Sequence, residues 1–139
     1  MSTSTNSGTR SAAGPILKAG AIAGLGAGVV NLVIFLIGKA ASVPFVVNQP
    51  SKGTAVTFVQ PLVTSLIGVF LGAVLLWLLT GRANGVSLWT RIAVVVTVLY
   101  SIVPFTAASS ISTAIFLVIM HAVCLVAALL LLRPAATRG

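Results

Sequence analysis

The chain has 139 residues, of which 58% are hydrophobic and only 6% are charged, and its mean hydropathy is +1.19. It carries eight Lys and Arg side chains, one His, and no Asp or Glu. A soluble domain devotes about 25% of its residues to charged side chains, mostly on its surface. This composition therefore excludes a water-soluble protein and indicates an integral membrane protein.

The net charge of +8 raises the alternative of a nucleic-acid-binding protein. Such proteins cluster their basic side chains on one face. In this chain the basic residues stand singly near the ends of apolar segments, as they do at membrane–water boundaries. We therefore expect the lipid bilayer, and no nucleic acid, to be the partner of these charges. They are Arg10, Lys18, Lys39, Lys52, Arg82, Arg91, Arg133 and Arg138.

Four apolar segments are each long enough to cross a bilayer as an α-helix, which takes about 20 residues. The first exceeds the roughly 7–15 apolar residues of a signal peptide, so we interpret it as a retained span. The sequence predicts an all-α, integral membrane four-helix bundle over residues 16–133. A disordered polar tail is predicted over 1–15, and a short C-terminal tail over 134–139. The spans are predicted at about 19–38, 57–79, 88–107 and 112–132.

Four spans place the two termini and the turn between the second and third spans on one side of the membrane. That side holds six of the eight basic residues, and the opposite side holds only Lys39 and Lys52. The positive-inside rule then predicts that both termini are cytoplasmic, in a multi-pass protein of the cell membrane. Trp77 and Trp89 fall at cytoplasmic helix ends, where an aromatic belt is expected.

Three strongly polar residues lie inside the predicted spans, namely Asn31, Gln60 and His121. Unpaired polar side chains are costly in lipid and usually face the bundle interior, so we predict that these three form an intramembrane polar cluster. His121 is interpreted as a neutral imidazole bonded to Asn31 or to a backbone carbonyl. The alternative is a titrating group in a proton or solute path.

Glycines recur at four-residue spacing in two of the spans. Such spacing makes a flat groove on a helix, along which a neighbouring backbone approaches closely. We predict that these glycines serve helix packing inside the bundle, with a homodimer contact as the alternative. They are Gly20, Gly24 and Gly28 in the first span, and Gly68 and Gly72 in the second.

The residue inventory disfavours several activities. One histidine and one cysteine, Cys124, do not supply the four ligands of a structural zinc site, and a lone cysteine forms no intrachain disulfide. The chain has no carboxylate side chain to support hydrolysis, and it lacks the carboxylate inside the membrane that drug–proton exchange requires. We therefore expect no catalytic residue, no metal and no cofactor, and interpret Cys124 as a small core hydrophobe.

Three segments, "GLGAGVVNLVIFLIG", "LWTRIAVVVTVLYSIVP" and "LVIMHAVCLVAALLLL", resemble the family known as domain of unknown function 6069. The resemblance covers most of residues 16–133. It implies a four-helix integral membrane protein, mostly found in actinobacteria, and it names no reaction.

Three functions follow as hypotheses from the residues. The first is a non-catalytic membrane protein that acts through helix–helix association with itself or with a membrane-protein partner. The second is a small transporter or channel component, with a polar path through Asn31, Gln60 and His121. The third is binding of an apolar ligand between the helices, with the 39–56 loop as a cover.

Overall fold

A computed structural model of the chain describes residues 8–49 and 52–137. The helices are α1 (Gly8–Ala40), α2 (Val59–Leu79), α3 (Gly85–Ala107) and α4 (Ile111–Thr137), and a hairpin of β1 (Val46–Gln49) and β2 (Lys52–Ala55) joins α1 to α2. All four helices are long and apolar enough to cross a membrane. Even α2, with 21 residues, extends for about 32 Å, which matches a hydrocarbon core of about 30 Å. The predicted all-α membrane bundle is confirmed.

The outer helices are longer than the sequence predicted. Helix α1 begins at Gly8, inside the predicted tail 1–15, and α4 continues to Thr137, through most of the predicted tail 134–139. Residues 1–7 and 138–139 lie outside the described residues. Alanines at both ends favour continuation of the helix beyond the apolar segments. Helix α3 begins at Gly85, with Asn84 as its cap residue.

The glycine stripe of α1 lies directly against α2. A Cβ atom on Gly24 would lie 3.0 Å from the backbone of Leu66, and one on Gly28 would lie 2.9 Å from the carbonyl oxygen of Leu62. A Cβ on Gly20 would collide with Ala73. The two helices therefore approach backbone to backbone, a distance that only glycine permits at these positions.

The end of the bundle near the α2–α3 turn contains the larger core, and Trp89 occupies its centre. Its side chain is 1% exposed, and its indole N–H donates a 2.8 Å hydrogen bond to the carbonyl oxygen of Gly72. The expectation that Trp89 belongs to an aromatic belt is therefore wrong. The indole turns inward because the carbonyl on α2 satisfies its donor inside the bundle. Trp77 is half-buried.

At the opposite end, Phe45 anchors the connection between α1 and α2. Its ring is fully buried, 4.6 Å from the ring of Phe35 and 5.7 Å from that of Phe116, measured between centroids. Its backbone N–H donates to Thr113 Oγ1 over 3.2 Å. The φ angle of Phe45 is 47°, a left-handed conformation that costs a bulky residue about 1–3 kcal/mol. Burial of the ring offsets this cost.

The β1–β2 hairpin also bonds to the turn between α3 and α4. Strands β1 and β2 pair antiparallel, with Val46 opposite Ala55. The N–H of Ser109 donates to the carbonyl oxygen of Val46 over 2.9 Å, and Val47 forms a bridge with Ala108. The α1–α2 connection is thereby bonded to the α3–α4 turn. The sequence analysis did not predict these strands.

The close α1–α2 contact predicts opposite outcomes for two glycines of one helix. Gly28→Ala should lower the free energy of unfolding by about 1–3 kcal/mol, because the added methyl meets the backbone of Leu62. Gly26→Ala is the matched control, since a Cβ at that position has no neighbour within 4 Å. It should leave stability unchanged or raise it by up to about 1 kcal/mol. Denaturant unfolding in detergent micelles measures both, and equal losses would refute the contact.

Candidate functional site

Asn31 is a buried amide inside the first span, where its side chain is 2% exposed. Its Nδ2 group donates to Ser65 Oγ over 2.8 Å, to the carbonyl oxygen of Met120 over 3.1 Å, and to Cys124 Sγ over 3.4 Å. Ser65 in turn donates to the carbonyl oxygen of Pro61 over 2.6 Å. One amide on α1 therefore bonds to both α2 and α4, and we call Asn31, Ser65, Met120 and Cys124 the amide junction.

The carbonyl oxygen of the same amide has no such partner. Asn31 Oδ1 is buried and accepts no hydrogen bond from the described residues. Exchanging the two amide atoms would not help, because Oδ1 would then face the Met120 carbonyl oxygen, which is also an acceptor. A buried acceptor without a donor costs about 1–3 kcal/mol. The junction thus places three acceptors around the two N–H groups of the amide, which share them, and leaves one acceptor unsatisfied.

His121 points away from the amide junction. Its Nδ1 lies 2.6 Å from the carbonyl oxygen of Leu117, one turn earlier on α4, and since a carbonyl only accepts, Nδ1 carries the proton. The ring centroid lies 6.4 Å from that of Tyr100 on α3, and Tyr100 is 61% exposed. Of the two bonding alternatives for His121, the backbone carbonyl is the one observed.

Gln60 lies at the beginning of α2, where its side chain is exposed. Its Oε1 accepts a 3.0 Å hydrogen bond from the backbone N–H of Thr57. The side chain therefore satisfies a donor near the helix N-terminus, a local role that polar residues commonly fill there.

The structure does not join the three predicted cluster residues to one another. Among the hydrogen bonds of residues 8–49 and 52–137, none links Asn31, Gln60 and His121. Along the bundle, Asn31 bonds at the level of Met120, the residue before His121. The His121 ring lies at that same level but faces α3. In place of the predicted polar cluster, the structure contains the amide junction.

The glycine stripe of α2 differs from that of α1. A Cβ atom on Gly68 or on Gly72 would have no neighbour within 4 Å, whereas Gly20, Gly24 and Gly28 are all covered. The predicted packing glycines thus divide into a covered set on α1 and an open set on α2.

His121 and Cys124 are the side chains of metal-ligating type among residues 8–49 and 52–137. Within those residues there is no group of three His, Cys, Asp or Glu side chains that could hold a metal ion. The thiol of Cys124 receives the hydrogen bond from Asn31, so it serves as an acceptor in the junction.

Comparison with known proteins places these features in a family. The profile of a family of unknown function, DUF6069, matches residues 11–138. The chain belongs to this family. No curated protein and no solved structure matches it. The match covers all four helices almost entirely, so the amide junction and both glycine stripes of this DUF6069 protein lie within the family domain.

Of the four members of the amide junction, only Asn31 belongs to the polar cluster predicted from the sequence. Cys124 was interpreted as a hydrophobe, and the Met120 carbonyl is a backbone group that no residue pattern reveals. The available signal was the spacing of Met120 and Cys124, four residues apart on one face of α4.

The amide junction predicts a sharp effect of exchanging the amide for an acid. Asn31→Asp keeps the size of the side chain but removes the NH₂ donors that serve Ser65, Met120 and Cys124. We expect the free energy of unfolding to fall by at least about 2–3 kcal/mol. Gln60→Glu is the matched control, because its Oε1 keeps the bond from Thr57 and a carboxylate suits a helix N-terminus.

A double-mutant cycle of Asn31→Ala and Ser65→Ala should give a coupling energy of about 0.6 kcal/mol, within the range known for hydrogen bonds between membrane helices. Unfolding by denaturing detergent measures both experiments. A stable Asn31→Asp protein with zero coupling to Ser65 would contradict the junction.

Proposed function

We propose that this protein is a non-catalytic, multi-pass protein of the cell membrane that acts through helix–helix association, first of all with a second copy of itself. The observation that carries the proposal is the open glycine stripe of α2. Hydrocarbon covers exposed leucine or valine as well as a protein does, so exposed apolar side chains say little about partners in a bilayer. An open stripe of glycines does indicate a partner, because the backbone of another helix can approach closely there and gain packing contacts that lipid does not supply.

On one face of α2 the small residues form a groove, and the larger side chains beside them form a ridge. Thr64, Gly68 and Gly72 follow at four-residue spacing, and a Cβ on either glycine would meet open space. Ile67 and Leu71 precede the two glycines and are 54% and 62% exposed. Ridges of one helix fill grooves of another, so this surface is complementary to itself.

A second copy is the occupant that this surface fits. The stripe of Gly20, Gly24 and Gly28 on α1 is already covered, whereas the stripe of Gly68 and Gly72 on α2 is open. Two copies inserted in the same orientation present the same stripe to each other across a two-fold axis along the membrane normal. Isologous dimers of this type are the commonest symmetric assemblies.

The transport alternative has weaker support. A polar path requires its polar groups to share one space, but Gln60 bonds to Thr57 and His121 to Leu117. Asn31 is enclosed between α1, α2 and α4 by its own bonds. The proposal of a non-catalytic role rests on the chain's lack of Asp and Glu and on the use of Cys124 as a hydrogen-bond acceptor.

Self-association predicts that filling the α2 groove weakens the dimer. Gly68→Leu should raise the dissociation constant in bilayers by at least about tenfold, because the side chain holds the two α2 helices apart. Gly26→Leu is the matched control, since it fills another open glycine on α1. Energy transfer between labelled copies, measured over a range of protein-to-lipid ratios, reports the constant.

Both variants should unfold like the unmodified chain, because neither position has a neighbour within 4 Å inside the bundle. A chain that stays monomeric at every protein-to-lipid ratio would overturn the proposal. Equal weakening by Gly26→Leu would also do so.

The proposed orientation, with cytoplasmic termini, predicts the accessibility of the turns. Ala83 and Ser109 are both exposed and lie in the α2–α3 and α3–α4 turns, on opposite sides of the membrane. In intact cells a membrane-impermeant maleimide should label Ser109→Cys but label Ala83→Cys only after permeabilisation. Both substitutions are made with Cys124→Ala, which removes the native thiol. The reverse pattern would invert the orientation.

A further inference from the structure

Three arginines surround a cavity of about 680 Å³ at the end of the bundle near the α2–α3 turn. Arg82 comes from that turn, Arg91 from α3 and Arg133 from α4, and all three are exposed. We call this cavity the arginine basin. Its other polar lining residues are Thr80, Asn84, Ser87 and Thr90.

The arginine basin has no acidic side chain to balance it. The whole sequence contains no Asp or Glu, so three of its eight Lys and Arg charges line one cavity without a carboxylate side chain to pair with them. Like charges around one cavity repel each other, and an anion that enters from outside relieves this repulsion. Guanidinium groups present planar, forked donors that match the oxygens of a phosphate.

The first turn of α3 adds backbone donors to the same cavity. Val86 and Ser87 line it, and the cap residue Asn84 makes no side-chain hydrogen bond to the helix, whereas the N–H of Gly85 donates to the carbonyl oxygen of Arg82 over 3.0 Å. N–H groups and the helix dipole favour an anion at such an end. The turn is tight, since a Cβ on Gly85 would collide with the carbonyl oxygen of Leu79, and it holds Arg82 beside the helix start.

The position of the basin along the bundle indicates the source of the anion. The cavity begins directly after Leu79, the last residue of α2, and includes Arg133, directly after the buried Leu132. The apolar parts of the spans end here, so the cavity lies at the depth of the lipid headgroups. Basic pockets between membrane helices at this depth bind anionic headgroups.

We propose that the arginine basin binds the phosphate group of an anionic phospholipid, held by Arg82, Arg91 and Arg133 at the N-terminus of α3. This site does not depend on the self-association proposed above, because the basin and the α2 glycine stripe share no residue.

Native mass spectrometry of the full chain, titrated with phosphatidylglycerol or with zwitterionic phosphatidylcholine, tests the proposal. Phosphatidylglycerol should bind in preference to phosphatidylcholine. Arg91→Gln and Arg133→Gln should each weaken its binding by about fivefold, which corresponds to about 1 kcal/mol for each arginine near an anionic surface. Arg91→Lys should lose part of the affinity for phosphatidylglycerol, because lysine keeps the positive charge but lacks the forked N–H donors of a guanidinium group.

Lys18→Gln is the matched control for charge. Lys18 is exposed and lies at the same end of the bundle, since Gly20 beside it packs near Leu132, yet it does not line the basin. The Lys18→Gln protein should bind phosphatidylglycerol with the same affinity as the unmodified chain. Equal weakening by Lys18→Gln would overturn the site in favour of general attraction by net charge.

A second arm distinguishes a lipid headgroup from a soluble anion. Inorganic phosphate at millimolar concentration should fail to displace bound phosphatidylglycerol. If inorganic phosphate binds and phosphatidylglycerol does not, the assignment to a lipid is overturned. Circular dichroism spectra of all variants should match, because the substituted side chains are exposed.

Discussion

Close approach of α1 to α2 is the contact on which the rest of the bundle depends. In a bilayer, burying apolar side chains gives helices little reason to associate, so close packing and a few polar bonds supply most of the stabilisation. Gly24 and Gly28 bring the backbone of α1 against that of α2. Asn31 follows Gly28 by three residues and therefore reaches Ser65 directly. From there the same amide reaches the backbone of α4.

The sequence predicted those features that depend on length and spacing. Four apolar segments predict four spanning helices, and the glycines at positions 20, 24 and 28 predict the close contact that α1 makes. The partners of the polar residues depend on how far each helix is rotated about its own axis. These helices are apolar on nearly every side, so the sequence contains little information about that rotation. For this reason His121 was expected beside Asn31 but faces Tyr100.

The two ends of the bundle differ in chemistry. One end is closed by aromatic rings around the buried Phe45. The other end places Arg82, Arg91 and Arg133 around an open cavity, directly outside the core that contains Trp89. The number of Lys and Arg residues on each side of the predicted spans indicated the excess of positive charge at this end. It did not reveal that three of the charges share one cavity, because they come from separate segments of the chain.

The bond between Ser109 and Val46 has a mechanical consequence for the whole molecule. It fastens the link between the first two helices to the link between the last two, so the two helical pairs are tied together at the Phe45 end. At the far end the α2–α3 turn joins the same two pairs through the chain itself, and the bond from Trp89 to Gly72 adds a second link, so the pairs are held together at both ends of the bundle.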